Sequence, residues 1–212
     1  MAEGQPAGVI LVGGRSSRMG GKLKGLVELN GRPLLQHVID RLQPQVSRIY
    51  LSVEQFNPAL EVFGLAQVED PRSGSHGPFG GLMASLQALP EGQDWLLLLP
   101  CDAPFLPPDL GSRLHSAVLH EGTLLGVVDD AGHLQPTFSL WNRRLLPSIQ
   151  QAVIEQGMGG FMQYLDGVRF SSVTWHAGNT GHTLSDLPFF NINTPDDLRQ
   201  AESAINSGSV LR

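Results

Sequence analysis

Residues 7–25 of the chain read AGVILVGGRSSRMGGKLKG, an apolar run that passes directly into a glycine-rich segment. The run from 7 to 12 has the length and composition of a buried strand, and Gly13 and Gly14 predict a sharp loop after it. Glycines let a backbone approach a ligand closely, and successive exposed N–H groups form a concavity that binds anions. Four basic residues add positive charge to the same loop: Arg15, Arg18, Lys22 and Lys24. The segment therefore predicts a loop that binds a triphosphate.

Two better-known phosphate loops do not match this segment. It contains no Gly-x-Gly-x-x-Gly, and its Gly21-Lys22 pair is followed by Leu23 where a P-loop has Ser or Thr. A flexible surface turn with solvated basic side chains is the alternative interpretation. The position directly after a predicted strand favours the phosphate-binding loop over that alternative.

The order of strand, loop and helix continues along the chain. Further strands are predicted at residues 48–53, 65–68, 95–99, 124–128, 137–141 and 168–175. Helices are predicted from Pro33 to just before Pro44, at 82–89, 110–119 and 145–155, and after Thr194, which is expected to cap the last helix. Residues 96–99 are all leucine, which is typical of a parallel strand covered on both faces. We therefore expect a three-layer, doubly wound α/β fold, with a mostly parallel sheet and helices on both faces, as a single domain over residues 1–212.

Composition excludes several classes of protein. The net charge is −6 and there is no dense Lys/Arg run, which argues against sequence-independent binding of nucleic acid. The single cysteine, Cys101, excludes an intrachain disulfide framework and is compatible with a reducing cytosol. The apolar run at 95–99 is too short to span a bilayer, and the first residues, MAEGQP, lack the features of a secretory signal. We expect a cytoplasmic enzyme that binds neither membranes nor nucleic acid.

A second motif, LLLLPCDAPFL at residues 96–106, places Asp102 just past the carboxyl end of a buried strand. Ligands of open α/β sheets gather at those strand ends, where a carboxylate can hold Mg²⁺ against phosphate oxygens. By position alone, a turn-initiating or helix-capping aspartate is an equal alternative. For Cys101 a small buried residue is favoured over a nucleophile, because no His or Asn stands in a supporting pattern.

Further motifs follow in a fixed order along the chain: GRPL at 31–34, ED at 69–70, GPFGG at 77–81, PCDAPF at 100–105 and FNINTPDDL at 190–198. Together with the opening loop they resemble the molybdenum cofactor guanylyltransferase family over residues 11–198. The resemblance implies a nucleotide-diphospho-sugar transferase-like variant of the Rossmann fold. It also implies an enzyme that uses Mg-GTP to attach GMP to the terminal phosphate of molybdopterin, giving molybdopterin guanine dinucleotide and pyrophosphate.

The resemblance also implies the nucleotide contacts. The backbone of Leu11, Val12 and Gly13 and the side chain of Lys24 would contact GTP. Ser52 falls where the family often has a base-contacting Asn, Asp70 matches a nucleotide contact, and the guanine would lie near Val12, Ser52 and Gly80.

Three side chains are implied to be catalytic. Asp102 matches the residue shared by Mg²⁺ and GTP and would be the metal ligand, Lys24 would act on the phosphates, and Arg18 would support the β- and γ-phosphates. Asn191 and Asn193 lie where the family places polar groups near the metal and the acceptor phosphate. The implied partners are GTP and molybdopterin as substrates, and transient contact with proteins that deliver or accept the cofactor is left open.

Two positions depart from the family pattern. The family usually has Asp immediately before the loop lysine, where this chain has Leu23, and Ser52 replaces an Asn whose amide could read a base edge. Two alternatives therefore remain within the same fold, a cytidylyltransferase acting on molybdopterin and a sugar-phosphate nucleotidyltransferase. A third alternative is a nucleotide-binding protein without catalytic activity, which retention of Lys24 and Asp102 disfavours.

Overall fold

A computed structural model describes residues 4–13, 23–70, 77–175 and 188–206 of the chain. Its main sheet contains seven strands: β1 (Ala7–Leu11), β4 (Ile49–Val53), β5 (Ala66–Glu69), β6 (Trp95–Pro100), β7 (Leu125–Asp130), β8 (His133–Asn142) and β9 (Ser171–Trp175). A small hairpin is formed by β2 (Glu28–Leu29) and β3 (Arg32–Pro33). The α-helices are α1 (Leu34–Leu42), α2 (Gly77–Gln87), α3 (Leu110–Glu121), α4 (Leu146–Gln150), α5 (Phe161–Leu165) and α6 (Pro195–Asn206).

The strand order across the sheet is β5-β4-β1-β6-β8-β7-β9. Parallel pairing joins β5, β4, β1 and β6, and also joins β7 to β9, while β8 runs antiparallel to both of its neighbours. The sheet is therefore mostly parallel, and the expected doubly wound architecture is confirmed. The chain builds outward from β1 through β4 to β5 and then returns to place β6 on the other side of β1.

Helices cover both faces because the central strands are apolar on both faces. Leu97 and Leu99 pack with α1 and α3, whereas Leu96 and Leu98 pack with α2, α4 and α5 on the opposite face. Successive side chains of a strand point to opposite faces, so an unbroken leucine run supplies both layers of core.

A smaller cluster joins the start and the end of the chain beside the sheet. Val27 and Leu29 of the hairpin region, Phe105 after β6, and Ile192 and Ala201 near or within α6 are buried together. Burial of this apolar surface fixes the segment before α6 against the loop that follows β6.

Several elements differ from the sequence-based prediction, and β8 and β9 also begin at other residues than predicted, at His133 and Ser171. Helix α2 begins at Gly77 and not at residue 82, because packing of the fully buried Phe79 overrides the low helix propensity of the glycines around it. Pro33 precedes α1 and lies in β3, so it is not the first helical residue. The predicted helix at 145–155 consists of short segments: a 3-10 turn, α4 and a turn of π-helix over Gln151–Glu155. Helix α5 was not predicted, since it is only five residues long and directly follows the glycine-rich break at 157–160.

The start of α6 is capped as expected. The Thr194 hydroxyl accepts a hydrogen bond from the Asp197 backbone N–H at 3.1 Å, and the Asp197 carboxylate accepts from the N–H groups of Asn193 and Thr194 at 2.8 Å each. Desolvation acts to raise the pKa of Asp197, but these hydrogen bonds outweigh it and the pKa lies below its usual value. The reciprocal bonds form a capping box, which fixes the backbone of Asn193.

Candidate functional site

A cavity of about 450 Å³ lies at the carboxyl ends of β1, β4 and β6, where the order of the strands reverses. Ligands of open α/β sheets bind at this kind of topological switch point. Six of the residues implied by the family resemblance line it: Leu11, Gly13, Lys24, Ser52, Asp70 and Asp102. The fold therefore brings together residues from three of the motifs and from the end of β4.

One end of the cavity is organised by the side chain of Lys24. Its ammonium group donates hydrogen bonds to the Asp102 carboxylate and to the side-chain oxygen of Asn193. The Lys24 and Asp102 side chains are 18% and 9% exposed, so the ion pair is largely shielded from water. A positive charge is thus held beside a carboxylate at the carboxyl end of β6.

Close packing at Gly25 holds Lys24 in place. A Cβ on Gly25 would lie 3.3 Å from the Cβ of Leu35 and 3.5 Å from that of Cys101, so the backbone after Lys24 runs directly against α1 and the loop after β6. The 3-10 turn over Lys24–Leu26 ends with a hydrogen bond from the Val27 N–H to the Lys24 carbonyl at 3.1 Å. The ammonium group therefore projects from a fixed backbone.

The segment before α6 completes this end of the site. The Ile192 N–H donates to the Asp102 carbonyl at 2.9 Å, and the side-chain amide of Asn193 donates to the Asn191 carbonyl at 3.2 Å. The side-chain oxygen of Asn191 is buried and has no hydrogen-bond partner in the described part of the chain. A buried polar atom without a partner is uncommon and points to a ligand or water.

The oxygen atoms at this end fit a hard divalent cation. Asp102 supplies a carboxylate, while Asn191 and Asn193 supply amide oxygens, and Mg²⁺ commonly combines one or two carboxylates with substrate phosphates. Within residues 4–13, 23–70, 77–175 and 188–206, no group of three or more His, Cys, Asp or Glu side chains could hold a metal alone. These residues fit an ion that a bound phosphate helps to coordinate, and they do not form a complete protein cage.

The other end of the cavity is formed where α2 lies on β4. Ser52 is 5% exposed, and a Cβ on Gly81 would overlap with its hydroxyl oxygen. The glycine at 81 therefore permits the helix to approach the strand. Gly77, which begins α2 at a φ of +52°, lines the same end together with Asp70, whose N–H donates to the Val53 carbonyl at 3.0 Å.

Four of the implied residues are not among those lining the cavity: Val12, Gly80, Asn191 and Asn193. Gly80 is buried within α2, and its neighbour Gly81 lines the cavity instead. The side chain of Val12 is 3% exposed and lines an adjoining cavity of about 400 Å³ that also contacts Leu23. The Val12 backbone N–H donates to the Ser52 carbonyl at 2.9 Å, so the loop after β1 is tied to the end of β4.

Cys101 lines the cavity beside Asp102 but is 2% exposed. Burial raises the pKa of its thiol to about 12, and the neighbouring Asp102 charge acts in the same direction. The thiolate that a nucleophile requires is therefore disfavoured, which agrees with the expected packing role.

Arg18, with Arg15 and Lys22, lies outside the described residues.

Glu54 lines the cavity and was not predicted from the sequence. It is the first residue after β4, and this position relative to a strand end is the same signal that identified Asp102 after β6. In the described part of the chain, no helix is both long and apolar enough to cross a membrane.

The family model of the MobA-like NTP transferase domain matches residues 8–169 of this chain. A relative named molybdenum cofactor guanylyltransferase, from Vibrio parahaemolyticus, is 39% identical over 199 residues, which cover 92% of this chain and 94% of the relative. Among solved structures, molybdopterin-guanine dinucleotide biosynthesis protein A from Archaeoglobus fulgidus has a TM-score of 0.77 at 22% identity, covering 95% of this chain and 99% of that one. The complex of Rv0371C from Mycobacterium tuberculosis with manganese has a TM-score of 0.63 at 15% identity, covering 95% and 100% of the two chains. At these identities the two structures show the fold.

Proposed function

Because the chain belongs to the MobA-like NTP transferase family, as a nucleotidyltransferase of the molybdenum cofactor guanylyltransferase type, we propose that it transfers GMP from GTP to the terminal phosphate of molybdopterin. The products are molybdopterin guanine dinucleotide and pyrophosphate. The observation that carries this proposal is the ion pair of Lys24 and Asp102 in a cavity of about 450 Å³ at the strand ends, with Asn193 bound to the same ammonium group.

GTP binds with its phosphates at the Lys24 end and its nucleoside at the Ser52 end. Lys24 is the only cationic side chain among the described residues that line the cavity, so the phosphates are attracted to that end. The backbone of Leu11, Val12 and Gly13 borders the nucleotide, while Ser52, Gly80 and Asp70 contribute to the nucleoside pocket. Arg18 supports the β- and γ-phosphates.

The transfer is an in-line substitution at the α-phosphorus of GTP. An oxygen of the acceptor phosphate forms the new P–O bond, the bond from the α-phosphorus to the α,β-bridging oxygen breaks, and pyrophosphate leaves with that electron pair. The acceptor is already an anion, so the site needs no strong general base. Lys24 offsets charge on the phosphates, and positioning and electrostatics supply the acceleration.

A divalent metal ion is the cofactor of this reaction, and Mg²⁺ is the ion that we propose. Asp102 would hold it, with Asn191 and Asn193 as supporting oxygen donors. When bound, it supplies charge neutralisation at the phosphates. The cytoplasm as location and transient contact with proteins that deliver or accept the cofactor remain predictions.

The experiment is a panel of the four nucleoside triphosphates, each with authentic molybdopterin and Mg²⁺, in which pyrophosphate release and the mass of the pterin product are measured. We expect GTP to be preferred over CTP and ATP in direct competition, and reactions without molybdopterin are the control. A preference for CTP would move the chain to cytidylyl transfer, and transfer only to sugar phosphates would replace the acceptor. Binding of GTP with Mg²⁺ but without transfer to any acceptor would contradict the proposed activity.

A further inference from the structure

Glu54 lines the cavity at the end formed by β4. Glu54 directly follows β4, two residues after Ser52, and it lines both this cavity and the adjoining one of about 400 Å³. Its side chain has no hydrogen bond or ion pair with another residue in the described ranges. The Glu54 carboxylate therefore has no polar partner among the described residues.

The distribution of charge places Glu54 beside the nucleoside and not beside the phosphates. Among the described residues that line the cavity, Lys24 is paired with Asp102 at one end, whereas Glu54 and Asp70 are carboxylates without a lining cation at the other end. A triphosphate is repelled by carboxylates and attracted by the ammonium group. With the phosphates at Lys24, the neutral base and the ribose face Glu54 and Asp70.

Ser52 is poorly suited to read the base edge. Its hydroxyl lies so close under α2 that even a methyl group on Gly81 would overlap with it, and only 5% of the residue is exposed. One small hydroxyl enclosed between helix and strand can contribute to the shape of the pocket. It cannot offer two adjacent acceptors to a base.

Guanine is the base whose pairing edge suits a carboxylate. Its N1–H and 2-amino group are two adjacent donors, and an ionised carboxylate is an acceptor with two oxygens. Adenine and cytosine each present one donor beside one acceptor, and uracil presents one donor between two carbonyl oxygens. A carboxylate therefore forms a paired set of charge-assisted hydrogen bonds with guanine alone.

We propose that Glu54 determines the base specificity of this site, its carboxylate accepting hydrogen bonds from N1–H and the 2-amino group of guanine. The proposal rests on the proposed function for the orientation of the nucleotide. Glu54 would then read the base two residues after Ser52, whose hydroxyl replaces the side-chain amide of an Asn.

Binding of GTP, ITP and ATP to the wild-type protein and to Glu54→Gln, measured by titration calorimetry with Mg²⁺ and without acceptor, tests the proposal. ITP keeps N1–H but lacks the 2-amino group. We expect the wild-type protein to bind GTP about tenfold or more tightly than ITP, because a hydrogen bond to a charged group is lost. In Glu54→Gln the difference should fall to about twofold, and ATP should gain relative to GTP, because a carboxamide offers the donor that adenine N1 requires.

Glu69→Gln is the matched control, since Glu69 ends the adjacent strand β5 and is not among the residues lining the cavity. It should keep the wild-type ratio of GTP to ITP affinity. The proposal is overturned if Glu54→Gln keeps that ratio, if Asp70→Asn abolishes it instead, or if Glu54→Gln changes only the discrimination between GTP and 2′-deoxy-GTP, which would assign Glu54 to the ribose.

The two proposals fail separately. Loss of GTP selectivity in Glu54→Gln without any transfer to molybdopterin by the wild-type protein would leave the base contact standing and overturn the activity. Transfer by the wild-type protein with unchanged selectivity in Glu54→Gln would do the reverse. Failure of the wild-type protein to bind GTP would overturn both.

Discussion

At the Lys24 end of the crevice, three distant parts of the chain meet through charged and polar side chains, whereas at the Ser52 end one helix lies directly on one strand. Lys24 is 78 residues from Asp102 and 169 residues from Asn193, and its ammonium group binds both side chains. Ser52 and Gly81 can lie in contact because the serine side chain is small and glycine has no side chain.

This difference separates the two tasks of a nucleotidyltransferase. Phosphoryl chemistry is the same for every nucleotide and requires charge at a fixed place, so its residues are held by a network that extends across the chain. Base selection depends on the shape and the hydrogen-bonding groups of a small pocket, so single residues around β4 and α2 can change it. We expect substitutions at the first end to lower turnover for every nucleotide, and substitutions at the second end to change relative affinities.

The largest effect is expected at Asp102. Asp102→Asn preserves the size of the side chain but removes the charge that offsets a divalent ion, so kcat should fall by at least about a hundredfold, or roughly 2.7 kcal/mol in the barrier. The measurement is turnover with GTP across a Mg²⁺ titration, together with thermal unfolding. Asp109→Asn is the control, because Asp109 is an exposed residue before α3 whose side chain makes no capping hydrogen bond. Normal turnover by a folded Asp102→Asn protein would remove Asp102 from the metal site and make Asp70 the next carboxylate to test.

Lys24→Ala should have the next largest effect. Loss of the ammonium group removes a charge-assisted contact worth roughly 1.5–3 kcal/mol, so kcat/KM should fall by about ten- to a hundredfold. The reduction should be similar for GTP and for poorer nucleotides, since it concerns the phosphates. Melting temperatures should be measured as well, because the substitution leaves the buried Asp102 without its cation. Arg144→Ala is the control, because it removes an exposed cation elsewhere and should leave kcat/KM unchanged. If Lys24→Ala also leaves kcat/KM unchanged, Lys24 is excluded from the site.

Gly81→Ala tests the nucleoside end. The added methyl group would overlap with the Ser52 hydroxyl, so α2 or Ser52 must shift. We expect the KM for GTP to rise several-fold while kcat changes little, and the free energy of unfolding to fall by about 1 kcal/mol. The double variant Ser52→Ala, Gly81→Ala should recover much of the stability, because the remaining neighbours, a Leu11 methyl carbon at 3.4 Å and the Cβ of residue 52 at 3.7 Å, lie at ordinary contact distances. Gly160→Ala is the control, since nothing lies within 4 Å of its Cβ position. An additive double variant would show that Ser52 and Gly81 are not coupled.

The smallest effect is expected for alkylation of Cys101. Its pKa of about 12 lies above the usual 9.0, so raising the pH toward about 9 produces thiolate in the unfolded chain but very little in the folded protein. Iodoacetamide at about pH 8 should therefore leave the native protein unmodified and active, while the urea-unfolded chain reacts. Mass spectrometry reads the result directly, because the chain has one cysteine. Rapid modification of the native protein would show that the cavity wall at Cys101 opens to solvent.

Much of the site was predictable because strand ends are encoded locally. An apolar run followed by glycines located Gly13 and Lys24, and a leucine run followed by PCD located Asp102. The capped start of α6 was predictable for the same reason, since Thr194 and Asp197 bond with their own neighbours. Predicted boundaries were wrong where packing overrides local preference. The glycines at the start of α2 have low helix propensity, but packing of the buried Phe79 stabilises the helix there.

The sequence by itself determined the order of the strands along the chain, the segments after β1 and β6 that carry Lys24 and Asp102, and the apolar pattern that requires helices on both faces. Only the tertiary structure decided that β8 inserts antiparallel between β6 and β7, that Asn193 reaches Lys24, and that Gly81 and Glu54 line the cavity. The physical reason is the separation along the chain of the residues that interact. Strand, loop and cap signals act between neighbouring residues, whereas the pairing of strands and the meeting of side chains more than a hundred residues apart depend on how the apolar faces pack together.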